Sequence, residues 1–170
     1  TAEAVFEASF KGWKEVEGIG EIVCNQLKDW KVYQNKIEPI LKTIDQQKLK
    51  TLFLGTPEYP KPLSFCGDAP LVLFYRGKIS FHQRKIISIV GTRQNTPQGK
   101  DFCVKLIETL QPFNPIICSG LARGIDIIAH QTALKQGLDT VACVAHGLER
   151  IYPSAHFNAS KLICKQGGLV

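Results

Sequence analysis

Three times along the second half of the chain a short apolar, β-branched run passes through a polar or glycine-bearing turn into a helical pattern. Lys85–Val90 leads through Gly91-Thr92-Arg93 to a helix over Pro97–Leu110. Pro115–Cys118 leads through Ser119–Gly124 to a helix over Asp126–Gln136, and Thr140–Ala145 leads through His146–Pro153 to a helix over Phe157–Gln166. Strands alternating with helices in this way predict right-handed crossovers and a parallel sheet. In such sheets ligands sit beyond the carboxyl ends of the strands, so the three turns are expected to share one rim.

The fold class expected is therefore α/β: a Rossmann-like parallel sheet with helices on both faces, preceded by a small helical unit. The N-terminal residues carry apolar positions at three- and four-residue spacing over Ala2–Phe10, Ile22–Lys31 and Val32–Lys50, which predicts short helices. Between the first two, Val16-Glu17-Gly18-Ile19-Gly20 fits the hairpin of a helix-hairpin-helix element, whose glycines let amides approach a DNA phosphate; it equally fits an ordinary tight turn. Pro60, Pro62 and Pro70 then mark an irregular connection into a strand over Leu71–Tyr75. Residues 1–48 are expected to be the helical unit and 49–170 the Rossmann-like domain. The opening on Thr1 and the apolar, strand-like close Gly167-Gly168-Leu169-Val170 predict an excerpt, with the domain incomplete at its C-terminal end.

Twenty-one Lys and Arg against fifteen Asp and Glu give a net charge of +6, which suits a polyanionic partner or simply a basic globular protein. The six cysteines form no C-x-x-C pair, so neither a zinc ribbon nor a thioredoxin-type redox site is supported, and reduced thiols in apolar runs fit the cytoplasm. No apolar run nears the roughly 18 residues of a membrane span.

What the rim can do follows by elimination. Dinucleotide binding needs G-x-G-x-x-G and an acidic residue closing the second strand; here the turn is Gly91-Thr92-Arg93-Gln94 and the second strand ends at Ser119. No Walker A loop occurs, and Ser119 lacks the G-x-S-x-G setting of a nucleophile elbow. Asp126 and His130 stand four apart on a helix face, but two ligands do not make a metal site, and Asp126 fits a cap at the helix start. Anion binding remains. Arg93 and Arg123 follow adjacent strands, Gly120 and Gly124 keep the backbone bare, Ser119 adds a hydroxyl, and a helix N-terminus adds amides and its dipole. The alternative for Arg123 is a structural pair with Asp126.

These blocks resemble one bacterial family, the DNA-processing protein A (DprA, or Smf) proteins. The resemblance is carried by Tyr59-Pro60-x-x-Leu63, Asp68–Gly77, Ile89-Val90-Gly91-Thr92-Arg93, Ser119–Asp126 with Ala129-His130 and Ala133-Leu134, Gly147-Leu148, Tyr152-Pro153 and Gly167–Val170. It implies an extended Rossmann fold and a homodimer that binds single-stranded DNA during natural transformation, protects it and helps load the RecA recombinase, with no known catalysis and neither cofactor nor metal. Carried over position by position, Gly91, Thr92, Arg93, Ser119, Gly120, Arg123 and Gly124 hold backbone phosphates, and His156 and Lys161 extend the track. The family's sheet continues past the point matched by Val170, and the Gln94–Pro97 turn offers no base-stacking platform beside Arg93. Two other readings stay open. A Rossmann-like nucleotide phosphoribohydrolase uses such a rim, although its P-G-G-x-G-T block is not in this sequence; or the helical N-terminus is itself the DNA contact and the sheet a scaffold.

Overall fold

A computed structural model describes residues 2–78, 80–81 and 85–170. The chain forms two compact units, residues 1–47 and 48–170.

The first unit is four helices, α1 (Ala2–Glu7), α2 (Phe10–Lys14), α3 (Glu21–Lys28) and α4 (Trp30–Gln46). The helix expected over Ala2–Phe10 breaks because the Ser9 side chain accepts the Gly12 N–H and starts α2 afresh. Trp13 is buried and donates its indole N–H to the Val5 carbonyl at 2.6 Å, and Cys24 of α3 is fully buried. Gly18 stands at φ +85° in the turn before α3, a conformation that favours glycine. The last helix stops at Gln46 rather than running to Lys50, since Lys48 takes a left-handed conformation at φ +50°.

The second unit is a six-stranded sheet. β1 (Lys50–Phe53), β2 (Val72–Gly77), β3 (Ile86–Ser88), β4 (Ile116–Ser119), β5 (Thr140–Ala142) and β6 (Gly168–Leu169) lie in the order β1-β2-β6-β5-β4-β3. A single turn of helix, α5 (Lys61–Ser64), lies between β1 and β2. From β3 to β6 the pairing is parallel, with α6 (Pro97–Leu110), α7 (Ile125–Lys135) and α8 (Phe157–Gln166) as the crossovers. This is the expected Rossmann-like arrangement. It is extended at one side by β2, antiparallel to β6, and by β1, antiparallel to β2.

Within the described residues the three crossover helices α6, α7 and α8 share one face of the sheet. Because β3, β4, β5 and β6 lie side by side in chain order, the three crossovers step in one direction across the sheet, and crossovers of one hand then place their helices on one side. Side-chain alternation agrees. Ile87 of β3, Ile89 just past it and Ile117 of β4 pack with Cys103 and Ile107 of α6 and with Ala129 and Ala133 of α7. Ala142 of β5 and Leu169 pack with Ile127 of α7 and Ile163 of α8. Since Ile87 aligns with Ile117, and Ser119 with Ala142, all of these share a face. The other face carries Ser88, Cys118 and Cys143.

Glycine is required where β6 enters. A Cβ on Gly167 would collide with the Thr140 backbone, and one on Gly168 with the Tyr75 ring. The dipeptide thus lets a two-residue strand slide between β5 and β2.

Candidate functional site

The loops leaving β3, β4 and β5 converge, as expected, on one cleft of about 580 Å³ lined by Arg93, Gly120, Arg123, Asp126, His146 and Tyr152 among others. What joins the first two loops is Gly124. It stands at φ +82°, ψ −130° as the residue before α7, and a Cβ there would run into the Thr92 carbonyl and come within 2.8 Å of the Arg93 Cα. The Thr92 carbonyl accepts the Ile125 N–H at 3.2 Å, and Ile125 in turn packs on Gly91, where a Cβ would lie 2.7 Å from its side chain. Arg93 and Arg123 are neighbours because these backbones touch. The Thr92 hydroxyl accepts the Gln94 N–H at 3.1 Å, which folds the first loop, and Thr96 caps α6 by accepting the Gly99 N–H.

Both arginines are exposed, and among the described residues neither meets a carboxylate within ion-pair distance. The Arg123–Asp126 pair is therefore not formed. Asp126 does not cap α7 either: Gly124 holds the capping position and no side chain accepts there. The first three amides of a helix lack intrahelical acceptors. Ile125 spends its own on Thr92, which leaves the Asp126 and Ile127 N–H groups without a partner among the described residues. Two free guanidinium groups and a free helix start form a positive site. Asp126, 8% exposed and in the cleft lining, is the one carboxylate set into it among the described residues.

Beneath the second loop lies a buried histidine. His130 has no exposure, its Nε2 is 2.6 Å from the Gly120 carbonyl and its Nδ1 2.6 Å from the Thr140 hydroxyl. Burial pushes its pKa below the ordinary value, against the opposing pull of the Gly120 carbonyl and the Asp126 charge. The ring donates from Nε2 to the Gly120 carbonyl, holding the first carbonyl of the turn in place, while Nδ1 meets the Thr140 hydroxyl, which itself donates to the Ile117 carbonyl at 2.8 Å. Both nitrogens are thus engaged within the fold.

Three expected contacts take other places. The buried Ser119 hydroxyl donates to the Ile89 carbonyl at 2.6 Å, so its proton ties β4 to the end of β3 and is not offered to the cleft. His156 donates from Nδ1 to the Leu121 carbonyl at 2.8 Å, bracing the second loop from outside the cleft lining. Lys161 is exposed on α8 with its Nζ 4.3 Å from the centre of the Phe157 ring, also outside that lining.

In exchange the cleft gains Tyr152, 71% exposed, whose N–H donates to His146 Nε2 at 3.3 Å and which precedes a cis peptide to Pro153. The sequence signal for it is Tyr152-Pro153 in the third turn, away from the Gln94–Pro97 turn beside Arg93.

A parallel sheet whose carboxyl edge bears an arginine-lined cleft over an uncapped helix defines a Rossmann-like protein with a cationic rim. The sequence profile of the family described as DNA recombination-mediator protein A matches residues 50–170, and the chain belongs to that family. It is 40% identical over 110 residues to the DNA processing protein DprA of Streptococcus pneumoniae, covering 65% of this chain and 39% of that one. It is 30% identical over 175 residues to the Smf protein of Synechocystis, covering 95% and 43%. The X-ray structure of the S. pneumoniae DprA superposes with a TM-score of 0.67 at 35% identity, over 72% of this chain and 43% of that one. The DNA processing protein A of Helicobacter pylori, described for its single-stranded DNA binding mode, superposes at 0.60 with 28% identity, over 71% and 54%. The chain spans about four tenths of the length of these curated relatives.

Proposed function

We propose that the cleft binds the sugar–phosphate backbone of single-stranded DNA without regard to sequence and without chemical turnover. The observation that carries this reading is the pair of unpaired arginines, Arg93 and Arg123, brought together by Gly124 above free helix amides. Phosphate contacts made by guanidinium and backbone N–H groups position a strand but read no base. Gly91, Thr92, Gly120 and Gly124 shape the backbone that approaches it. Tyr152 supplies an exposed ring for a base to stack on, a sequence-tolerant contact. Support from outside the chain comes from the H. pylori relative's single-stranded DNA binding and from membership of a recombination-mediator family.

On the same reading the whole protein acts as a cytoplasmic homodimer that protects incoming strands and passes them to RecA. Free thiols accord with the cytoplasm, and among the described residues no helix is long and apolar enough to cross a membrane. The test is binding of a labelled oligonucleotide, single- against double-stranded, across a salt series. Preference for the single strand with affinity falling steeply in salt is expected; equal affinity for the duplex overturns it.

One observation favours a second reading, a nucleotide-cleaving enzyme: Asp126 is a buried carboxylate in the cleft with no hydrogen-bond partner among the described residues. Incubation with nucleoside monophosphates and assay for free base decides between them.

A further inference from the structure

On the sheet face opposite α6–α8, Cys118 of β4 and Cys143, just past β5, bring their sulfurs to 3.5 Å. Cys118 aligns with Val141, so Cys143 lies two residues further along the adjacent strand and points to the same side. Cys118 is half-buried, whereas Cys143 is exposed and forms part of the cleft wall. The Cys143 S–H directed at the Cys118 sulfur, helped by a hydrogen bond from Ser88 and opposed by burial, lowers the Cys118 thiol to about 7, while Cys143 is pushed up by the proton it shares. The shift favours the Cys118 thiolate, the form that reacts with oxidants.

We propose that Cys118 and Cys143 form a peroxide-sensitive dithiol on the wall of the cleft, whose oxidation to a disulfide weakens the cleft's hold on single-stranded DNA. The DNA-binding half rests on the function proposed above. The Cys118 thiolate attacks one oxygen of hydrogen peroxide; an S–O bond forms, the O–O bond breaks, and the departing hydroxide takes a proton and leaves as water, giving the sulfenic acid. The Cys143 sulfur then attacks Cys118, the S–S bond forms, the S–O bond breaks, and the hydroxyl leaves with the Cys143 proton as a second water. Two thiols lose two electrons and one peroxide gains them.

Closing the bridge moves the strands. The sulfurs must come from 3.5 Å to about 2.05 Å. Diagonal neighbours in a ladder stand about 7–8 Å apart at Cα, against the roughly 4.4–6.8 Å that a disulfide spans. The bridge thus draws the end of β5 toward the end of β4, where Ser119 leads into the Gly120–Gly124 turn and its arginine. A bridge closed against the ladder is also readily reduced, as a reversible switch requires.

The test treats the intact, reduced protein with hydrogen peroxide and follows peptide mass and binding of a labelled oligo-dT together. Expected are a Cys118–Cys143 cross-linked peptide and an affinity loss of about tenfold, the scale of one lost charge-assisted contact, both reversed by dithiothreitol. Cys118→Ser removes the bridge and the peroxide response; Cys143→Ser stops at a Cys118 sulfenic acid trapped by dimedone; Cys66→Ser, which removes an exposed thiol elsewhere, changes neither. Thiols at 118 and 143 that stay unmodified while Cys66 oxidises overturn the proposal, and so does a bridge that forms with affinity unchanged. Failure of the reduced protein to bind the oligonucleotide counts against the proposed function, while the peptide mass still judges the dithiol.

Discussion

Replacing Gly124 with alanine tests how the site is assembled. Two costs add at this residue. Its backbone, at φ +82° and ψ −130°, lies where a side chain is strained by about 1–3 kcal/mol. The new Cβ also collides with the Thr92 carbonyl and lies 2.8 Å from the Arg93 Cα, so the first loop must retreat and the 3.2 Å bond from Ile125 N–H to Thr92 is stretched or lost, a further 0.5–1.5 kcal/mol or so. Gly124→Ala should therefore lower unfolding stability by about 1.5–4.5 kcal/mol, read by urea titration. It should also weaken single-stranded DNA binding by about tenfold or more, read by fluorescence anisotropy, because the loop that retreats carries Arg93. Gly137→Ala is the control. Gly137 also has positive φ, +72°, but a Cβ there has nothing within 4 Å; it should cost about 1–2 kcal/mol and leave binding unchanged. If Gly124→Ala binds like the parent, or loses no more stability than Gly137→Ala, the claim that this glycine unites the two loops is wrong.

Tyr152→Ala should weaken oligonucleotide binding by about 1–3 kcal/mol, the worth of one stacked base, while Tyr152→Phe keeps it; a loss in both variants points to the hydroxyl and away from stacking. His130 gives a pH signature. Its pKa is lowered in the fold, so as pH falls through about 6.5 the unfolded chain takes up a proton that the buried ring refuses. Stability from this residue is present above that pH and is lost below it. His130→Gln should flatten the acid side of the stability profile by up to about 1.4 kcal/mol per pH unit, and an unchanged slope in urea titrations at pH 5 to 7 refutes the neutral buried ring.

The repeated strand–turn–helix units were legible because both signals are local: β-branched runs mark β3, β4 and β5, and Thr96-Pro97 marks the start of α6. β1 was missed because Lys50–Phe53 is four residues long, with Leu52 alone buried, too short for alternation to separate it from a helix end. That α6, α7 and α8 share a face was not legible, since it follows from strands ordered in space and not from any local pattern. That Arg93 and Arg123 line one cleft was legible because both stand in glycine-bearing turns at the ends of adjacent strands. Ser119 was misjudged because a hydroxyl at a strand end can face the rim or the neighbouring strand, and only register decides. The Cys118–Cys143 contact joins residues 25 apart on diagonal positions, which spacing alone does not disclose.

The salt dependence of binding addresses the central claim most directly. Each phosphate neutralised on a single strand contributes about 0.7 to the slope of log affinity against log salt. Arg93→Ala and Arg123→Ala should each weaken binding, and the double variant should flatten that slope by about 1.4. A double variant that binds more weakly with the parental slope, or one that binds as tightly as the parent, places the DNA somewhere other than between these two guanidinium groups.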